Sequence, residues 1–501
     1  MSSGLILSVI FIYFAVLLAI SWITSRNADS ESFFVANRQA PWYLVAFGMI
    51  GTSLSGVTFI SVPGAVGAMA GDEIKGFAYF QLVLGYVVGY FVIATVLMPL
   101  YYRLNLISIY SYLEDRFGYW AYKTGSFFFL VSRAVGSSLR LYLAAMVLHL
   151  FLFEAWGVPF VVTVAITILL IWLYTFKGGI KTIVWTDTFQ TFFLVTAVLI
   201  SVYMISDHLG WSLFEMVKQV GESAYSKTFF TESIWESNNF FKQFLSGAFI
   251  ALVMTGLDQD LMQKNLSCRN LKDAQKNMLW FTVCMVFVNL LFLTLGAMLY
   301  IYATSQNIAI PADTDELYPM LALNHFGIVV GIFFLLGITA STYASSDSAL
   351  AALTTSFCID FLNFKSKPES VKQKQKTLVH IGFSLLFLLI IVVVYEIGEK
   401  SVIHMVLKAA SYTYGPLLGL FAFGVLSKRK VRDKFIPLVC VLAPLATFFL
   451  TMAIESNTRY QFAYENLIIN GFICFLGLLA CSYSPNTKVD EKVDTVKEKL
   501  V

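Results

Sequence analysis

Charge is what this chain has least of. Only 13% of its 501 residues are Asp, Glu, Lys or Arg, 58% are hydrophobic, and the mean hydropathy is +0.74. Soluble domains run near 25% charged, so the composition points away from a soluble protein and toward a polytopic membrane protein. Cysteine is scarce as well. The six (Cys268, Cys284, Cys358, Cys440, Cys474 and Cys481) fall within apolar spans or a basic loop and form no CxxC, which argues against a disulfide framework and leaves them as small apolar side chains. HExxH, Gly-x-Ser-x-Gly and a Walker-type phosphate loop are missing, and the five His are scattered without metal-ligand spacing. No catalytic residue, organic cofactor, nucleic-acid partner or obligate protein partner is therefore expected, and the apolar spans leave no room for a soluble catalytic domain.

What the chain has is apolar runs long enough to cross a hydrocarbon core of about 30 Å. They lie near 4–24, 42–70, 76–102, 120–150, 157–175, 182–206, 240–263, 277–304, 326–362, 377–397, 401–426, 434–453 and 464–484. An all-α protein of about thirteen transmembrane helices is expected. Alternate loops collect the cations: Arg26 and Arg38; Arg103, Arg116 and Lys123; Lys177 and Lys181; "KNLSCRNLKDAQK"; "KSKPESVKQKQK"; and "KRKVRDK". With the tail they hold roughly 25 of the 34 Lys and Arg, which by the positive-inside rule sets the N-terminus outside and the C-terminus in the cytoplasm. The first span has no basic region before it and no small-residue cleavage site, so it reads as a retained helix.

One span departs from the rest. "FGMIGTSLSGVTFISVPG", residues 47 to 64, puts Gly48, Gly51, Gly56 and Gly64 among five hydroxyls and ends at Pro63 and Gly64. Non-helical backbone at membrane depth is tolerated only where it is buried in protein or lines a cavity. A second such stretch, "VMTGLDQDLMQKN" (253–265), follows about 200 residues later. Each opens a group of five spans, as in an inverted repeat built around discontinuous helices. The other reading is that these small residues only let helices pack closely.

Charges inside spans favour the first reading. Asp187, Asp347, Arg133 and Arg140 sit in apolar segments, where each costs roughly 2.5–3.5 kcal/mol unless it faces a cavity or a partner. Arg133 and Arg140 are seven apart, two turns along one helical face. Asp347 stands among Ser341, Ser345, Ser346 and Ser348, an oxygen-rich face of the kind hard cations favour.

The stretches "ESFFVANRQAPWYLVAFGMIGTSLSGVTFISVPG", "YTFKGGIKTIVWTDTFQ", "GLDQDLMQKNLSCRNLKDAQK", "ASSDSALAAL" and "YGPLLGLFAFGVLSKR" together resemble the sodium/solute symporter family, in the family's order across about residues 30–430. The resemblance implies a leucine-transporter-type fold: a five-plus-five inverted core with one extra helix before it and two after. One transporter domain, 1–485, is then expected, with the extra helix at 4–24, repeats at 42–206 and 240–426, two further helices at 434–484, and a cytoplasmic tail at 486–501.

The resemblance also implies sites. Gly51 and Leu54 would offer carbonyls to sodium, Ser341 another carbonyl, and Ser345 its hydroxyl. The family's adjacent hydroxyl pair is here Ala344 and Ser345, so the site is either weaker or completed by Thr342 or Ser346. A second cation site in some relatives matches Asp187 and Ser348, with Asp347 where relatives carry serine; two carboxylates would hold a cation more tightly, or one would carry a proton. Ser55, Thr58, Phe77 and Gln81 resemble substrate-lining positions of the sialic-acid branch. The carboxylate-binding arginine of that branch falls on Gly136, with Arg133 and Arg140 nearby instead. That departure counts against sialic acid itself and leaves an acidic substrate open, the alternative being that the arginines pair with nearby Asp or helix ends. The function expected is import of a small polar organic solute, an organic anion such as a sialic-acid-like compound or other carboxylate among the candidates, across the plasma membrane with sodium as coupling ion. A proton-coupled or sugar-type symporter on the same fold is the alternative.

Overall fold

The computed structural model describes residues 3–25, 36–70, 73–175, 179–362, 364, 367–397 and 402–484. Arg26, Lys177 and the 486–501 tail, which entered the charge and domain readings, lie outside the described residues. The chain is almost entirely helical, with two short antiparallel ladders, Met69–Ala70 on Glu73–Ile74 and Lys430–Val431 on Ser482–Tyr483.

The helices that build the spans and breaks, in order, are α1 (Ser3–Thr24), α2 (Trp42–Ser53), α3 (Gly56–Ala65), α4 (Ala78–Val92), α5 (Tyr119–Leu148), α6 (Phe160–Thr175), α7 (Gly179–His208), α8 (Phe240–Ala251), α9 (Gln259–Leu266), α10 (Leu271–Ser305), α11 (Gly327–Ser356), α12 (Glu369–Ile397), α13 (Val402–Thr413), α14 (Gly415–Leu426), α15 (Ile436–Asn457) and α16 (Asn466–Ala480), with shorter helices between them. Among the described residues eight helices are long and apolar enough to cross a membrane, and up to eleven spans result when each of three bent pairs counts as one. The thirteen expected from hydropathy are reached only by adding α6 and α16, which are apolar but shorter.

The bends fall where glycine and hydroxyls interrupt the apolar runs. α2 meets α3 at 58°, the α8 segment meets α9 at 63°, and the α13 segment meets α14 at 45°. At the second break the freed carbonyls find donors within the protein. Tyr101 donates its hydroxyl to Gly256 O at 3.0 Å and Tyr110 to Leu257 O at 2.9 Å. Asp258 then caps α9 by accepting from Asp260 N at 2.9 Å. An unpaired polar group in hydrocarbon costs several kcal/mol, so these tyrosines make the break tolerable.

At the centre runs α11, buried on every side from Gly337 to Ser356. α7 packs along it, and α2 and α3 also touch it. A helix buried all round needs no polar face for solvent, so its serines and Asp347 serve partners inside the protein. α1 lies at the periphery: Tyr13, Phe14 and Leu17 face inward, while Phe11, Ile12 and Trp22 remain exposed.

Candidate functional site

The first break sits directly against α11. Leu54 leaves helical geometry (φ −87°, ψ 71°) and Ser55 is extended (φ −65°, ψ 174°) before α3 begins. Gly56 approaches α11 so closely that a Cβ there would collide with the Thr342 hydroxyl and stand 3.8 Å from Ser341 Oγ. Glycine is required here by proximity. Gly51 packs equally close to Thr191 and donates its N–H to Thr191 Oγ1 at 3.0 Å.

Unlike the second break, this one has no side-chain donor on the carbonyls from Gly51 to Leu54 among the described residues. Opposite it, Ser341 donates to Ile338 O and Ser345 to Thr342 O, each at 3.0 Å, which leaves their oxygens free to accept or coordinate. The hydroxyls of Ser53, Thr342 and Ser346 are buried with no hydrogen-bond partner. Gly56 thus brings the break against Ser341 and Thr342 of α11, while Gly51 faces Thr191 of α7. Hydroxyl and carbonyl oxygens are the ligand type that suits a weakly held monovalent cation.

Beside the break opens a cavity of about 90 Å³, walled by Ser55, Thr58, Tyr79, Tyr86, Arg133 and Arg140 among others. The two arginines differ. Arg133 is almost fully buried, bonds Asp260 through Nη2, and has Nη1 3.8 Å from Asp258 Oδ2. Arg140, two turns along α5, enters no ion pair among the described residues. Of the pair, Arg140 is the one with charge to offer a ligand.

Phe77 and Gln81 do not line this cavity. Gln81 is fully buried and ties the 228–240 segment to α4: it donates to Asn238 O at 2.9 Å and accepts from Phe230 N at 3.1 Å. Phe77 precedes α4 and bonds Lys227 O through its N–H at 2.9 Å.

In the second grouping Asp187 and Asp347 lie near enough to interact, each with its own hydrogen-bond partner, while Ser348 is turned to another residue. Ser348 donates to Asp260 Oδ1. Asp347 accepts from Tyr174 Oη at 2.8 Å. Asp187 accepts from Lys264 Nζ at 2.5 Å and from Thr52 Oγ1 at 3.1 Å. Lys264 is the residue the sequence reading missed. Read there as part of a solvated basic loop, it is 1% exposed and lies on α9, which the bend after Gly256 turns inward. Asp260 and Lys264, four apart on α9, each take a partner from another helix.

Over the far end of α3, Asp315 of the short helix Thr314–Glu316 accepts from Ser61 Oγ at 2.8 Å. Burial pushes its carboxyl up to about 7, opposed by the Ser61 bond and aided by Asp313.

The pattern of the sodium:solute symporter family matches residues 33–433. A sodium/sialic acid symporter of Aliivibrio fischeri is 23% identical over 97% of this chain and 94% of its own. The sodium-coupled monocarboxylate transporter 2 of Mus musculus is 26% identical over 80% of this chain and 64% of its own. Among solved structures, the substrate-bound outward-open state of a sodium-coupled sialic acid symporter superposes with a TM-score of 0.81 at 19% identity, covering 96% of this chain and 99% of that one. At that identity the match speaks for the fold, which is of the leucine-transporter type.

Proposed function

The chain belongs to the sodium:solute symporter family, and on that premise we propose that it is a multi-pass carrier that imports a small organic anion together with sodium by alternating access. The observation that carries this reading is the continuity of the break. Leu54 and Ser55, where the helix breaks, line the cavity with Arg140, and the next residue, Gly56, lies against Ser341 and Thr342 of α11. A cation held by Gly51, Leu54, Ser341 and Ser345 would fix the backbone that presents Ser55 and Thr58 to the solute. Sodium and solute would then each favour the same closed arrangement, which is the requirement for coupling.

Arg140 is the anchor for the solute's negative group, and the tyrosine wall is suited to a partly apolar body. A cavity of about 90 Å³ has room for roughly six to nine waters. The relatives named for sialic acid and for monocarboxylates both support an acidic solute. One sodium moving with one monoanion carries no net charge, so the membrane potential, worth about 2.3 kcal/mol per charge per 100 mV, would not oppose import. The cation bias of the loops supports an N-terminus outside and a C-terminus inside, and the helix order supports repeats at 42–206 and 240–426 flanked by α1 and by α15–α16. The test is uptake by the purified chain in proteoliposomes from a panel of lactate, pyruvate, N-acetylneuraminate, proline and glucose, each driven by sodium or by potassium. Sodium-driven uptake confined to the acids is the expected pattern; a preference for glucose would return the chain to the sugar-type reading.

A further inference from the structure

We propose that the Lys264 ammonium is a built-in counter-ion that occupies Asp187 in place of a second sodium, so that one sodium accompanies each solute. This rests on the sodium-symport reading above and specifies its stoichiometry.

Three elements converge on the contact. Lys264 comes from α9, Asp187 from α7 and Thr52 from the last turn of α2. The ammonium donates to Asp187 Oδ2 at 2.5 Å and to Thr52 Oγ1, while Thr52 itself donates to the same carboxylate oxygen at 3.1 Å. Both charged groups are sealed from solvent, 1% and 0% exposed. A buried carboxylate demands a positive charge, and here it comes on a tether. A sodium ion brought to about 4 Å from that ammonium would meet like-charge repulsion that lowers its affinity on the order of a thousandfold at an effective dielectric constant of 20.

The other groups that would complete a second site are turned elsewhere. Ser348 donates to Asp260, whose other oxygen Arg133 holds, and Asp347 accepts from Tyr174. Yet Asp187 Oδ1 and Asp347 Oδ1 are both buried without a hydrogen-bond partner. Remove the ammonium, and two carboxylates are left with free oxygens and no cation. The lysine is therefore what keeps a cation site closed, and its loss should open one.

The test is equilibrium binding of radioactive sodium to the purified full chain, counted per molecule, with choline as the competing salt. Wild type should bind one sodium. Lys264→Met should bind two, and the charge-neutral double variant Asp187→Asn/Lys264→Met should return to one with affinity within about threefold of wild type. Two sodium ions in wild type, or a folded Lys264→Met that still binds one, would overturn the proposal; so would loss of the single sodium in the double variant, since Asp187 would then be its ligand. Should Lys264→Met fail to fold, the wild-type count and the double variant decide. No sodium in wild type with one gained in Lys264→Met would sink the symport reading and leave the tethered cation standing.

Discussion

Arg133 gives its guanidinium to Asp260 while Arg140, two turns further along the same helix, faces the cavity beside Ser55 without an acidic partner. Two residues of one type on one face thus have different work. Arg133 closes a buried charge network, and cutting one partner out of such a network typically costs about 3–5 kcal/mol.

Arg133→Gln should therefore lower folded yield and thermal stability. Arg140→Gln should leave both near wild type and raise the KM for the anion by roughly thirtyfold or more, the cost of removing a charged partner worth about 2–5 kcal/mol. Arg140→Lys, which keeps the charge but loses the planar fork, should fall between. Uptake kinetics beside melting curves separate the two arginines; an Arg140→Gln variant with unchanged KM would remove the anchor.

Ser345→Ala deletes a buried hydroxyl of α11, one turn from the Ser341 and Thr342 that meet the break. Its Oγ already donates to Thr342 O, so the loss should be felt through sodium rather than through folding. Half-activating sodium should rise by about tenfold, in keeping with one ligand worth roughly 1–2 kcal/mol. Thr342→Val should act in the same direction if its unpartnered hydroxyl completes the set. The measurement is the sodium dependence of the initial uptake rate.

Tyr101 and Tyr110 offer a prediction about the second break alone. Phenylalanine at either position leaves a buried carbonyl, Gly256 O or Leu257 O, without its donor. Each should cost on the order of 1 kcal/mol of stability, read as a lower melting temperature in detergent, with sodium half-activation unmoved.

The Asp315–Ser61 contact should respond to pH. The carboxyl titrates near 7 where a free one titrates near 3.8, because burial favours the neutral form. Its stabilising contribution is full below about pH 4, declines as pH rises, and is gone above about pH 7. Hydrogen exchange in the 313–316 segment should show local opening easier by about 1 kcal/mol at pH 8 than at pH 6 after correction for intrinsic rates. Asp315→Asn should flatten that difference.

Much of this was legible in the sequence, for identifiable reasons. Apolar runs give long helices directly, and the glycines and hydroxyls at 47–64 marked the first break once the intramembrane charges favoured that reading over close helix packing. Ser55 and Thr58 were named through the family resemblance, and they line the cavity beside that break. Lys264 could not be placed. Its neighbours "QKNLSCR" look solvated, and only the 63° bend turns it toward Asp187, 77 residues back in the chain. Gln81 was named through the family resemblance, and its hydrogen bonds run to backbone groups at Phe230 and Asn238, about 150 residues on. Local pattern identifies a buried polar side chain; which partner takes it is a property of the packed bundle.

The most direct measurement is paired uptake of radiolabelled pyruvate and glucose by the purified full chain in proteoliposomes, under an inward sodium gradient and under an equal potassium gradient. Pyruvate should accumulate with sodium only, and Arg140→Gln should abolish most of that accumulation while the protein remains folded. Equal uptake in potassium, or sodium-driven accumulation of glucose that pyruvate and other carboxylates fail to compete, would contradict the account.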